Sequence, residues 1–156
     1  MTAFLPRIAL LTTGGTIAGA GPSATGAAYT AAALDARALL AVLPPLHGLA
    51  RVQAEALFAI DSADLTDALL LQLARRVREL AARSDVDAIV ITHGTDTLEE
   101  SAHFLHLTVP TDKPLVLTGA MRAATALGAD GPLNLYQALQ VAASGRAAGQ
   151  IGRAHV

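Results

Sequence analysis

"RIALLTTGGTIAG", residues 7–19, changes character in its middle. Residues 7–13 are short and apolar, as a parallel strand covered on both faces should be. Gly14 and Gly15 then let the backbone turn tightly and approach a neighbour closely, because they carry no side chain and tolerate positive φ. Thr16 is the first hydroxyl after that turn. Taken alone, a Gly-Gly-Thr tripeptide reads as a turn with an incidental threonine. The rest of the chain decides against that.

Downstream, strand and helix patterns alternate. Leu34, Ala38, Leu39, Val42 and Leu43 recur at helical spacing until Pro44 and Pro45 end the helix. Residues 51–60 read as a strand running into Asp61 and Ser62. Residues 64–83 are helical: Leu69, Leu70, Leu73, Val77 and Leu80 make one face, and Arg75, Arg76, Arg78 and Glu79 a solvated one. "VDAIVIT", residues 86–92, is another buried-type strand. It leads through "HGTDT" into a helix over 98–107, with Glu99 and Glu100 near its positive end. A short strand at 115–118 ends in "GAMR", and a helix runs from Pro132 to about residue 144.

This order predicts an α/β fold, a doubly wound, mostly parallel sheet with flanking helices and right-handed crossovers. No repeat or linker divides it. "TGGT", "DS", "HGTDT" and "TGAMR" each follow the C-terminal end of a strand. Open parallel sheets bind ligands along that edge. Thr16 therefore shares an edge with other hydroxyls and carboxylates, and an incidental turn no longer explains it.

Composition narrows the class further. With 156 residues, 53% of them hydrophobic and 15% charged, the chain suits one globular domain and not a disordered one. A net charge of −2 gives no reason to expect nucleic acid or an anionic membrane as partner. Without cysteine, disulfides and thiolate zinc sites are excluded. No apolar run reaches the ~20 residues of a membrane span. The N-terminus does not read as a signal peptide, so the expected compartment is the cytoplasm.

"LLTTGGTIAG" and "ITHGTDTLEE" together resemble the two signature motifs of the bacterial-type L-asparaginase family, in the same order. "GAMR" and "ADGPLNLYQA" resemble the segments that follow, so the likeness covers Ile8 to Ser144. It implies a Rossmann-like N-terminal catalytic domain over residues 1–149. It also implies hydrolysis of L-asparagine to aspartate and ammonia, with L-glutamine as a side substrate, and no cofactor. Thr16 would attack the side-chain amide carbon, leaving a β-aspartyl ester that water cleaves. A threonine hydroxyl must give up its proton to do this. By resemblance Tyr29 polarises the Thr16 hydroxyl and closes the site, and Thr95 is a second catalytic threonine working with Asp96 and a lysine further along. Asp96 also resembles the clamp for the substrate α-ammonium, and Ser62 the holder of its α-carboxylate. Gly15 and Gly94 belong to the same substrate-binding motifs. Members are homo-oligomers, dimers or tetramers, in which a smaller C-terminal domain completes neighbouring sites.

Other residues read differently. His93 orients the loop and is not a base. His103 and His106 lack a third ligand, so no metal site is expected. Met121 and Arg122 support the loop beneath the site. Ala63 stands where several family members have glutamine, which favours asparagine over glutamine. The family's lysine is not matched, and Lys113, the one lysine against ten arginines, is no substitute. "QIGRAHV" at 150–156 departs from the family, and one codon reading of it matches a sequencing adapter. Residues 150–156 are therefore expected to be a non-native tail, the C-terminal domain to be absent, and the 156-residue chain alone to be inactive. Two other functions fit the pattern less closely. One is the asparaginase-like subunit of a tRNA-dependent amidotransferase, which would carry an extra N-terminal domain. The other is a nucleotide-binding α/β module, although "GGTIAG" lacks the GxGxxG spacing.

Overall fold

The computed structural model describes residues 5–26 and 28–153. Its centre is a sheet of five strands, all parallel: β1 (Arg7–Gly14), β2 (Arg51–Ile60), β3 (Ala88–Thr92), β4 (Leu115–Thr118) and β5 (Ile151–Arg153). Four helices connect them: α1 (Ala36–Ala41), α2 (Asp67–Ala82), α3 (Leu98–Thr108) and α4 (Gly131–Ala143).

Period-two alternation sorts the strand side chains onto two faces. Ile8, Leu10, Val90 and Val116 pack with Leu39 of α1 and with Leu135, Ala138 and Leu139 of α4. Ala9, Leu11, Ile89, Ile91, Leu115 and Leu117 pack with Leu73 and Val77 of α2 and Leu98 and Leu105 of α3. Both faces are covered, which is why β1, β3 and β4 read as continuous apolar runs.

The strand order is β2-β1-β3-β4-β5. Going from β1 to β2 the chain moves one way across the sheet, and from β3 onward it moves the other way. The reversal leaves β1 and β3 side by side, paired from Ile8↔Ala88 to Thr12↔Thr92. Their following helices, α1 and α3, lie on opposite faces. Such a switch point opens a crevice at the C-terminal strand ends.

Most expected elements are found within a residue or two. The main difference lies before α2, where a helix was expected from residue 64. Instead, Ser62–Asp64 forms a separate 3-10 turn, and Thr66 caps α2 by accepting the Leu69 amide at 3.4 Å. Asp61 caps the short turn, its Oδ1 accepting the Ala63 amide at 3.1 Å. The effect is to hold Ser62 at the strand end instead of inside a helix. Beyond residue 149, Ile151, Gly152 and Arg153 pair in register with Leu115, Val116 and Leu117. The rest of the expected tail, including His155, lies outside the described residues. Among the described residues no helix is long and apolar enough to cross a membrane.

Candidate active site

Gly15 is where the first site loop becomes possible. Its φ of 77° and ψ of −176° fall in a region that only glycine adopts readily. A Cβ there would lie 2.5 Å from Cα and N of Gly94. The loops after β1 and β3 therefore touch backbone to backbone, and Thr16 and Thr95 each follow the contacting residue. Thr16 begins a 3-10 turn over Thr16–Ala18 whose other two residues are buried.

The loop then turns away and returns. Ala20 and Thr30 pair antiparallel, with amide-to-carbonyl distances of 3.0 and 2.8 Å. This neck delivers Tyr29, whose hydroxyl lies 2.8 Å from Thr16 Oγ1. Gly19 makes room for the ring, since a Cβ there would sit 2.7 Å from Tyr29 Cδ2. Tyr29 stays 42% exposed, so its ring is not a buried prop for the loop.

Ser62 and Asp96 form a second hydrogen-bonded unit. Ser62 Oγ accepts the Asp96 amide at 3.2 Å and donates to Asp96 Oδ2 at 3.4 Å. Thr97 Oγ1 donates to the Ser62 carbonyl at 3.1 Å. Asp96 is exposed, whereas Ser62 is only 2% exposed. The Ser62 hydroxyl is thus turned to the aspartate and is not open to solvent as a free donor. A ligand carboxylate would reach it by replacing Asp96 as acceptor.

His93 is buried between these loops. A carbonyl only accepts, so Nδ1 carries the proton and donates to the Gly94 carbonyl at 2.8 Å. Nε2 then accepts the Ser101 hydroxyl from α3 at 3.0 Å. Burial pushes the His93 pKa down against the Gly94 carbonyl and Glu100, which raise it. A neutral ring committed at both nitrogens ties the Gly94 end of this loop to Ser101 of α3.

Behind Thr95 stands the loop after β4. A Cβ on Gly119 would lie 2.8 Å from the His93 carbonyl and 3.2 Å from Thr95 Cγ2. This loop hangs on Asp130, whose two carboxylate oxygens accept the Met121 and Arg122 amides, each at 2.9 Å. Asn134 Nδ2 bridges Asp130 Oδ2 at 3.2 Å and the Gly119 carbonyl at 3.1 Å. Sequence reading missed both residues. The one usable signal was that Asn134 is the chain's sole asparagine and sits on an otherwise apolar helix face.

Lys113 sits at the far end of β4, where its ammonium donates to the Arg83 carbonyl. His103 and His106 lie on the exposed side of α3.

A doubly wound α/β protein with hydroxyls and a carboxylate gathered at its topological switch point is the class this arrangement defines. Within that class the chain belongs to the asparaginase family, matching its N-terminal domain over residues 7–151. It is 48% identical over 147 residues to L-asparaginase 2 of Bacillus subtilis (strain 168), covering 94% of this chain and 39% of that one. Glutaminase-asparaginase of Pseudomonas fluorescens biotype A is 52% identical over 147 residues, covering 94% and 41%. The crystal structure of a probable cytoplasmic L-asparaginase from Campylobacter jejuni superposes with a TM-score of 0.91 at 44% identity, over 96% of this chain and 46% of that one. The chain spans about two fifths of the length of the curated relatives it matches.

Proposed function

We propose that this chain is the threonine-bearing part of an enzyme that hydrolyses the side-chain amide of L-asparagine. The observation that carries this is the Thr16–Tyr29 pair, 2.8 Å apart, on the loop that leaves β1 at the switch point. A hydroxyl attacks a carboxamide carbon only if a neighbour takes its proton. The phenol oxygen is the group in place to accept it, handing its own proton on to the departing nitrogen. The Thr16 oxygen bonds to the amide carbon, the carbon–nitrogen bond breaks, and ammonia leaves with the proton. Water then opens the ester, giving aspartate and restoring the threonine hydroxyl.

Asp96 is exposed and held by Ser62, which suits it to fix a ligand ammonium by a charge-assisted bond. Thr95, on the loop that meets Gly15, is the second hydroxyl at the site, and Gly15 and Gly94 set its distance from Thr16. Ala63 leaves the position beside Ser62 without an amide. That supports a preference for asparagine over the longer glutamine.

In the natural full-length protein that carries residues 1–149, Thr16→Ala should reduce ammonia release from asparagine at least about 1000-fold. The fold should survive, because the Thr16 side chain is only half-buried. Wild-type turnover in the alanine variant would disprove the nucleophile. Loss of turnover with an unchanged circular dichroism spectrum supports it.

A further inference from the structure

Among the described residues, the loop from Gly119 to Asp130 is bonded to the Tyr29-bearing loop at three points. Two are backbone contacts: Ala124 donates to the Gly19 carbonyl at 2.9 Å, and Leu127 to the Ala24 carbonyl at 2.7 Å. The third uses a side chain. Thr125 Oγ1 accepts the Gly21 amide at 2.8 Å and donates to the Gly21 carbonyl at 3.4 Å.

Gly21 follows Ala20, one half of the neck, and Tyr29 precedes Thr30, the other half. A hydroxyl that bonds both polar groups of one residue fixes that residue in distance and in rotation about the chain. Resting on the functional reading above, we propose that Thr125 is a positioning residue, which holds Gly21 so that the neck presents the Tyr29 hydroxyl to Thr16. Its own loop is rigid enough for this, because Asp130 and Asn134 tie the loop's start to α4. Of the three contacts it is also the one a substitution can remove without touching the backbone.

Thr125 is exposed, so a change of side chain there leaves the core intact. Thr125→Val keeps the shape and removes the hydroxyl, while Thr125→Ser keeps the hydroxyl. Hydrogen exchange of the Gly21 amide should quicken about tenfold in the valine variant, the scale of one lost hydrogen bond. The serine variant should return it towards wild type. In the natural full-length protein that carries residues 1–149, Thr125→Val should lower kcat several-fold and leave KM within about twofold. Substrate contacts at Asp96 are untouched, and only the phenol's aim on Thr16 is lost. Unchanged Gly21 exchange in Thr125→Val overturns the proposal, and so does faster exchange with wild-type kcat. A wild-type chain that releases no ammonia from asparagine or glutamine defeats the functional reading instead. Gly21 exchange in the two variants then decides the Thr125 contact by itself.

Discussion

Gly15 shows how much of the site rests on a missing methyl group. Its φ of 77° with ψ of −176° costs a residue with a Cβ roughly 1–3 kcal/mol. That Cβ would also press on Gly94, which itself has no space because of the Ser62 side chain. Three loops meet there, so relief at one displaces another. Gly15→Ala should therefore destabilise the fold by about 2 kcal/mol or more, read as a lower urea midpoint at constant slope. Gly48→Ala is the matched control: no described residue lies within 4 Å of its added methyl, and the midpoint should hardly move. Equal midpoints for the two variants would show that the Gly15–Gly94 contact is not constrained. The glycine pair was legible in the sequence because a turn directly after a buried strand demands it. Its partner was not, since contact with Gly94 depends on which strand lies beside β1.

At the scale of elements, the start of α4 does more than begin a helix. Burial pushes the Asp130 carboxyl up, but the Met121 and Arg122 amides outweigh it and hold it below the usual carboxylate range. Because the folded value is depressed, the stabilisation is complete above the unfolded carboxyl pKa of about 4 and is lost as pH falls through the folded one. Asp130→Asn removes one of the two acceptor oxygens and should cost roughly 1–2 kcal/mol near neutrality. The stability gap between wild type and this variant should stay flat from pH 7 to about 5 and narrow below about 4. Chemical denaturation at a series of pH values measures it, and a gap that widens in acid would contradict the account. "ADGP" reads correctly as a helix start, yet the carboxylate's partners lie eight and nine residues upstream in an irregular loop. No periodicity carries that information. The same limit explains α2, where a continuous helical pattern concealed the separate turn that places Ser62 at the strand end.

On the scale of the whole molecule, alternation of strand and helix predicted a parallel sheet but could not give the order of its strands. Order depends on which faces the connections cross, and that order makes β1 and β3 neighbours and so gathers Thr16, Thr95 and Asp96. It also leaves β2 and β5 as edges of different kinds. β2 carries Arg51, Gln53 and Glu55, and Glu55 is held by Arg76 at 2.9 and 2.7 Å. Charges of this sort discourage a second chain from adding to the edge. β4, by contrast, is Leu-Val-Leu-Thr, buried throughout and uncharged, and β5 is the strand that covers its outer side among the described residues. The Leu115 amide donates to the Gln150 carbonyl at 3.2 Å, and the register continues to Arg153. Removing residues 150–156 would leave the β4 backbone groups open on an apolar strand. The shortened chain should lose about 2 kcal/mol and melt about 4–8 °C lower. Its light scattering should rise earlier on heating and depend on concentration, as edge-to-edge pairing requires. Melting and scattering identical to those of the 156-residue chain would mean that the β4 edge is protected by something other than β5.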